Sequence, residues 1–245
     1  MRKFWQKEWK GLQFSKFIKT DSKTVAGSEF YNEFYTYFYK IMKSWNDLSP
    51  NWFKQKKTIS DFIINDFIKS MESDDYRILS IGCGLGIIEK NIYSEGFYNI
   101  DVNEISDKPL LWLKKLIPQN QIFTGLIHET GVKKKNYDLI HLVAVDYVFN
   151  KKDLTVFLNS LKELLKENGQ CLLISGSFYE TGFSNMIKSN LVSLKKLLCR
   201  ENRGQLWGYL RSNKDYTNAM NNSGYNGVLD GMIDGNIYFI KGIKK

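Results

Sequence analysis

A chain of 245 residues with 43% hydrophobic and 15% aromatic residues can bury a full core and is predicted to form one main domain with an appendage. Its net charge of +9 favours an anionic partner, but Lys and Arg are spread along the chain rather than gathered in the stripe or module that nucleic-acid binding requires. Three cysteines without a C-x-x-C pair, with only two histidines, speak against zinc and structural disulfides, and the apolar runs are too short to span a membrane. The opening M-R-K-F-W-Q-K-E-W-K has no apolar signal core, so a soluble, cytoplasmic protein is expected.

Phe4, Trp5, Trp9, Phe14 and Phe17 make the first segment aromatic. From Ser28 to Trp45 a helical pattern puts Phe30, Phe34 and Phe38 on one stripe and Tyr31, Tyr35 and Tyr39 on the next. A helix apolar over so much of its girth needs cover, either by plain packing against the main domain or in a second role. Asp47-Leu48-Ser49-Pro50 interrupts the pattern: Ser49 can cap a new helix and Pro50 suits its first position, where a missing N–H does no harm. That helix is predicted from about Asn51 to Met71, with Phe53, Ile59, Phe62, Ile63, Phe67 and Met71 near helical spacing. The polar loop Glu72-Ser73-Asp74-Asp75 then separates a helical cap, residues 1–71, from an α/β domain, residues 72–245.

Arg77 to Glu89, R-I-L-S-I-G-C-G-L-G-I-I-E, joins a buried strand at Ile78, Leu79 and Ile81 to a helix opening at about Ile87. The join is made by Gly82, Gly84 and Gly86. Glycine permits backbone angles closed to other residues and lets a ligand lie on backbone N–H groups at the positive end of a helix. The spacing G-x-G-x-G differs from the dinucleotide fingerprint G-x-G-x-x-G, and a strand-to-helix turn without a ligand could show the same pattern. The run resembles the first motif of the class I S-adenosylmethionine methyltransferases, V-L-D-I-G-C-G-T-G, at Ile81-Gly82-Cys83-Gly84 and at Gly86. It departs at Ser80, where that family usually carries an acidic residue that helps hold the methionine end of the cofactor. The resemblance implies S-adenosylmethionine as cofactor, with Ser80, Gly82, Cys83, Gly84 and Gly86 around it. It also implies a Rossmann-like, mostly parallel seven-stranded sheet with one antiparallel strand near the C-terminus.

Beyond a short helix at Ile87 to Glu95, residues Gly96 to Asn103 read as the second strand and its exit loop. Asp101, nineteen positions past Gly82, is placed to accept hydrogen bonds from ribose hydroxyls. Val102 and Asn103 complete that edge of the cofactor site, Glu104 is the fallback, and a surface carboxylate is the plain alternative. Leu110 to Leu116 is a helical stretch and Gln121-Ile122-Phe123 a third strand. Leu126, Ile127 and His128 are expected to meet the adenine ring. Asn136 to Val143 resembles the family's fourth strand, with Val143 at its cofactor end. In the loop that follows, Ala144 to Phe149, Tyr147 and Val148 stand where many relatives have a Glu-His pair. Tyr147, His128 and His141 are the candidates for catalysis, with a core role competing for His141.

Leu154, Phe157, Leu158, Leu161, Leu164 and Leu165 form an amphipathic helix ended by Asn168-Gly169, and strand five follows from Gln170 to Ser175. L-K-E-N-G-Q-C-L-L-I resembles the family's L-K-P-G-G-x-L-L-I. A basic helix containing Ile187, Leu191, Leu194 and Leu198 is predicted from Phe178 to about Arg203, and Ser212 with Asp215 forms a capping box for the next helix. Val228 to Ile233 and Ile237 to Ile243 read as strands joined by a hairpin at Asp234-Gly235. The resemblance covers about Arg77 to Lys245. It implies methyl transfer to a small anionic or sugar- or nucleotide-linked acceptor, with O-methylation favoured. A phosphate or phosphoramidate oxygen in surface-polysaccharide (capsule) biosynthesis would fit. The cap would then be a lid over the acceptor. Metal assistance is not expected, since Gly176-Ser177-Phe178 replaces the Asp-Asn pair of metal-dependent relatives. The alternatives are a cofactor-binding regulatory protein without turnover and an RNA methyltransferase.

Overall fold

The computed structural model describes residues 1–17, 23–71, 75–175, 204–235 and 237–245. The chain opens with β1 (Arg2–Gln6), a small hairpin of β2 (Glu8–Trp9) and β3 (Leu12–Gln13), then α1 (Ser28–Ile41) and α2 (Pro50–Ile63). The central elements are β4 (Ile78–Ile81), α3 (Ile87–Ser94), β5 (Ile100–Glu104), β6 (Ile122–Thr124), β7 (Tyr137–Val143), α4 (Lys151–Leu161) and β8 (Leu165–Ser175). After them come β9 (Gln205–Leu210), α5 (Asn213–Asn222), β10 (Asn226–Ile233) and β11 (Ile237–Ile243).

Seven strands form one sheet in the order β6-β5-β4-β7-β8-β11-β10. The pairs from β6 to β8 are parallel, and β11 runs antiparallel to both of its neighbours. This is the expected Rossmann-like sheet with one reversed strand. The chain moves outward from β4 to β6 and resumes at β7 on the other side of β4. That reversal opens a crevice at the carboxyl ends of β4 and β7, where α/β sheets bind ligands.

Side-chain alternation along the strands builds two cores. Leu79 and Ile81 of β4, Ile140 and Leu142 of β7, and Leu173 of β8 pack with Leu154, Leu158 and Leu161 of α4 and Met220 of α5. Their neighbours Ile78, Val102, Leu139, Leu172 and Ile174 face the opposite way, against Ile59 and Ile63 of α2 and Ile88 and Ile92 of α3. A third cluster is rich in aromatic residues and joins the N-terminal segment to the glycine turn and β9: Phe14, Phe30, Phe34, Tyr35 and Phe38 pack with Leu85, Ile87, Trp112 and Trp207.

The packing does not follow a boundary at residue 71. Helix α2 and the π-turn after it, Ile64–Ile68, place five apolar side chains in the core of the sheet, so this part of the expected cap belongs to the α/β domain. The segment before it is held by β1, which pairs antiparallel with β9 through Arg2↔Leu210 to Gln6↔Gln205.

Ser49 caps α2 by accepting from the Trp52 N–H at 3.3 Å, with Pro50 at the first position, and Ser212 and Asp215 form the expected capping box of α5. Asp234 and Gly235 both take positive φ between β10 and β11. Other local expectations shift. Helix α1 stops at Ile41, because Met42 turns extended, and Ser44 starts a separate short turn with Asp47. Leu110 to Leu116 forms two 3-10 turns instead of one helix. Helix α4 ends at Leu161, and it is Asn168, with φ of 64°, that takes the left-handed position before the main run of β8. Gly169 answers crowding instead: a Cβ there would lie 2.8 Å from the Tyr137 carbonyl oxygen and 2.9 Å from that of Lys166. The basic helix predicted over 178–203, Cys199 and Gly176-Ser177-Phe178 lie outside the described residues. No described helix is long and apolar enough to cross a membrane.

Candidate active site

Strand β4 delivers the chain into the glycine turn, and Gly82, Gly84 and Gly86 all have positive φ. At Gly82 and Gly86 a side chain would also have to displace a neighbour: a Cβ would lie 2.3 Å from Val145 Cγ2 or 2.6 Å from Leu113 Cδ2. Gly84 is less crowded, since the nearest atom to its Cβ would be Tyr35 Oη at an ordinary contact distance of 3.7 Å, and its positive φ is what favours glycine there. The Gly82 N–H donates to the Asn103 carbonyl at 2.8 Å, and the Gly84 N–H to Glu104 Oε2 at 2.8 Å. The turn is thereby tied to the end of β5.

A cavity of about 520 Å³ lies over this turn. Ser80, Gly82, Cys83, Gly84 and Gly86 form its floor, Asn103 and Leu126 one side, and Val143 and Tyr147 another. Its cover comes from the N-terminal segment through Trp9, Lys10, Tyr31, Tyr35 and Trp52. The cover is latched to the turn, where Trp45 Nε1 donates to the Leu85 carbonyl at 2.8 Å, and to the 3-10 turn after β5, where Tyr39 Oη donates to the Pro109 carbonyl at 2.8 Å.

Asp101 does not reach the cavity. It is the second residue of β5, almost fully buried, and its carboxylate is ion-paired with Arg77 at 3.2 Å and accepts from Tyr137 Oη at 2.7 Å. Counting nineteen positions from Gly82 lands three residues short of the strand's carboxyl end, because β5 runs on to Glu104. Val102 is also absent from the wall, being fully buried between β4 and β6 in the sheet core. Asn103 lines the cavity, with its amide donating to the carbonyls of Phe123 and Gly125 at 3.1 Å each. Glu104, the fallback, stands at the wall. Its two carboxylate oxygens accept from the backbone N–H of Gly84 and of Ile105, each at 2.8 Å. Burial raises its pKa, while those two N–H groups and the charge of Lys10 pull the other way.

Of the three catalytic candidates only Tyr147 lines the cavity. Burial pushes its phenol up to about 12, so at neutral pH it donates a hydrogen bond rather than taking a proton. The loop carrying it is anchored by buried ionic contacts: Tyr216 Oη donates to Asp146, Ser175 and Tyr216 hydroxyls are 2.9 Å apart, and Arg211 Nη1 lies 3.6 Å from Asp146 Oδ2. Ring stacking of Tyr147 on Trp207, with centroids 6.2 Å apart, ties the loop to β9. His128 is exposed, with Nε2 3.6 Å from Glu129 Oε1, and lies away from the cavity.

His141 is fully buried inside β7, and both ring nitrogens lack a hydrogen-bond partner among the described residues. Burial lowers its pKa to about 3, so the ring is neutral in the folded protein. An unfolded chain takes up a proton at this residue near the ordinary value of about 6.5. Its contribution to stability is therefore complete above that pH and is lost as pH falls toward 3. His141→Leu should flatten the fall of the unfolding free energy from about pH 6 to 4 relative to the parent. Urea titrations across that interval test this, and an unchanged slope would count against a neutral buried ring.

Three residues at this site carried no signal in the sequence. Lys10 and Gly11 have φ of 51° and 78° and make the two-residue turn between β2 and β3, which puts Lys10 at the tip over the cavity. Its ammonium sits over Trp9 at 4.4 Å and Trp52 at 4.2 Å. Burial holds Lys10 well below the ordinary lysine range, nearby Lys56 adds to that, and Glu104 opposes it. Lys56, from α2, also lines the cavity. Glu89 lies in the first turn of α3 and accepts from Ser80 Oγ at 2.5 Å.

A strand-to-helix glycine turn, a carboxylate at the end of the next strand and a covered cavity between them define a nucleoside-binding α/β protein. A family model described as a methyltransferase domain matches residues 33–229, and the chain belongs to that family. No curated protein matches. Among solved structures, the PH0226 protein of Pyrococcus horikoshii superposes with a TM-score of 0.57 at 13% identity, covering 85% of this chain and 99% of that one. The magnesium protoporphyrin IX methyltransferase of Synechocystis, solved with S-adenosylhomocysteine, gives 0.53 at 12%, covering 79% and 83%. The pyocyanin biosynthetic protein PhzM gives 0.55 at 13%, covering 77% of this chain, which spans 55% of PhzM's length. At these identities the likeness is one of fold.

Proposed function

We propose that this chain transfers the methyl group of S-adenosylmethionine to an oxygen of a small acceptor bearing an anionic group, such as a phosphate or phosphoramidate. The observation that carries this reading is a single cavity with two kinds of wall. One part has the glycine turn and Glu104, and the other is an aromatic chamber holding Lys10 between Trp9 and Trp52. The residues fit the cofactor: Gly84 has no side chain to stand between the turn and a ligand, Glu104 offers a fixed carboxylate to ribose hydroxyls, and Leu126 and Ile105 offer apolar surface to a base. When bound, the cofactor supplies a methyl carbon made electrophilic by its sulfonium. The work left to the protein is to hold a nucleophile in line and exclude water, and positioning of this kind lowers barriers by roughly 7–11 kcal/mol.

Tyr31, Tyr147 and Trp207 wall the chamber, and their rings keep water out while their polar tips orient an acceptor. A lysine held below its ordinary pKa by burial gains most from an anion beside it. An acceptor that arrives ionised also needs no base, which suits a cavity whose Tyr147 stays protonated.

The test is calorimetry with S-adenosylhomocysteine together with transfer of labelled methyl to a panel of small phosphates, phosphoramidates, carboxylates and neutral alcohols. The parent should bind the product and methylate anionic members. Lys10→Met should keep product affinity and lose roughly 10- to 100-fold in kcat/KM for those members, the worth of a hydrogen bond to a charged group. Equal transfer to neutral alcohols would refute the anionic acceptor. Product binding without any transfer would favour a regulatory binder, and tight, salt-sensitive binding to RNA would favour an RNA substrate.

A further inference from the structure

Glu89 is a buried charged group of the cavity wall that the proposed chemistry leaves unused. It is 2% exposed in the first turn of α3 and forms part of the cavity wall. Oε1 accepts from Ser80 Oγ at 2.5 Å, while Oε2 is buried without a hydrogen-bond partner among the described residues. A carboxylate so placed is costly unless something meets it, and burial raises this one to about 7.

The groups facing it are Ser80 on β4, Cys83 in the turn, Glu104 on β5 and Lys56 on α2. Cys83 is kept neutral by burial, and Glu104 has the same sign as Glu89. Lys56 is within electrostatic reach from across the cavity but does not bond to Oε2. The free oxygen thus calls for a cationic donor, and the ligand proposed for this cavity carries one in its amino-acid end.

We infer that Glu89 is the counter-charge for the α-ammonium of S-adenosylmethionine, replacing from the helix the carboxylate that the glycine motif ordinarily carries at the position of Ser80. Ser80 becomes a positioning residue: its hydroxyl occupies Oε1 and leaves Oε2 for the ligand. The carboxylate at this end of the cavity thus comes from the helix and not from the strand. The inference rests on the cofactor lying in this cavity.

Two ligands separate the possibilities. S-Adenosylhomocysteine carries the ammonium, and 5′-methylthioadenosine has the same nucleoside without the amino-acid end. By calorimetry, Glu89→Gln should weaken the first roughly 10- to 100-fold and leave the second within about twofold, as expected for loss of one charge-assisted hydrogen bond. The reciprocal double variant Ser80→Asp/Glu89→Ser should recover most of the lost affinity, which a merely structural role of Glu89 would not allow. Parent affinity for S-adenosylhomocysteine should fall as pH drops below about 7, where Glu89 takes up a proton, and this dependence should be absent in Glu89→Gln. Equal weakening of both ligands, or of neither, overturns the inference. A parent that binds neither compound overturns the cofactor reading and this inference with it.

Discussion

Glu104→Ala should weaken binding of S-adenosylhomocysteine by about 1.5–3 kcal/mol, roughly 10- to 150-fold, whereas Asp101→Ala should leave that affinity near the parent's. Glu104 is locked by the backbone N–H groups of Gly84 and Ile105, so its carboxylate meets a ligand without first losing side-chain freedom. Asp101 is spent inside the protein. Its removal leaves the buried Tyr137 hydroxyl and the Arg77 guanidinium without their acceptor, at a cost of about 1–3 kcal/mol of folding stability. Glu104→Ala also frees the Gly84 and Ile105 N–H groups, so the variants are told apart by affinity: only Glu104→Ala should lose it, while Asp101→Ala should lose stability alone. A 2′-deoxy analogue sharpens the test, because the parent should discriminate against it and Glu104→Ala should not. If Glu104→Ala binds like the parent, or if Asp101→Ala remains folded yet loses affinity, the assignment of the ribose contact is wrong.

The choice between these two carboxylates shows where sequence reading stops. The glycine turn, the Ser49-Pro50 start of α2, the Ser212-Asp215 cap and the Asp234-Gly235 turn were legible because each depends on residues a few positions apart. The end of β5 was not, since I-D-V-N-E alternates without a breaker and nothing local says which acidic residue reaches the rim. Lys10 was missed because its position depends on pairing of β1 with β9, some two hundred residues away. Glu89 was missed for another reason. A glutamate in the first turn of a helix reads as an ordinary surface partner of the helix dipole, and only tertiary packing shows that this one is buried. The same limit hid α2 as a core element: its apolar spacing predicts a helix but not the surface it covers.

Truncation should expose the difference between the two halves of the N-terminal region. A chain beginning at residue 72 lacks Ile59, Ile63, Ile64, Phe67 and Ile68, all nearly fully buried against the sheet. At about 1.5–3 kcal/mol for each buried side chain, their loss is comparable to the whole stability of a domain, about 5–15 kcal/mol. That chain should fail to show a cooperative unfolding transition by circular dichroism. A chain beginning at residue 48 keeps α2 and therefore the sheet, but loses β1, the Lys10 turn and α1. Leu85, Ile87, Trp112 and Trp207 would then be bared. It should unfold cooperatively at a lower temperature than the parent, with exposed apolar surface detectable by dye binding. The glycine turn, Glu104 and Glu89 remain in place, so affinity for S-adenosylhomocysteine should fall much less than transfer to an acceptor. The contrast follows from what each segment touches: α2 covers the sheet and lends only Trp52, Gln55 and Lys56 to the cavity, whereas the rest of the cavity's cover comes from the residues before it. A stable, cooperatively folding chain from residue 72 would show that α2 is dispensable to the core. Full transfer by the chain from residue 48 would show that the aromatic chamber does not form the acceptor site.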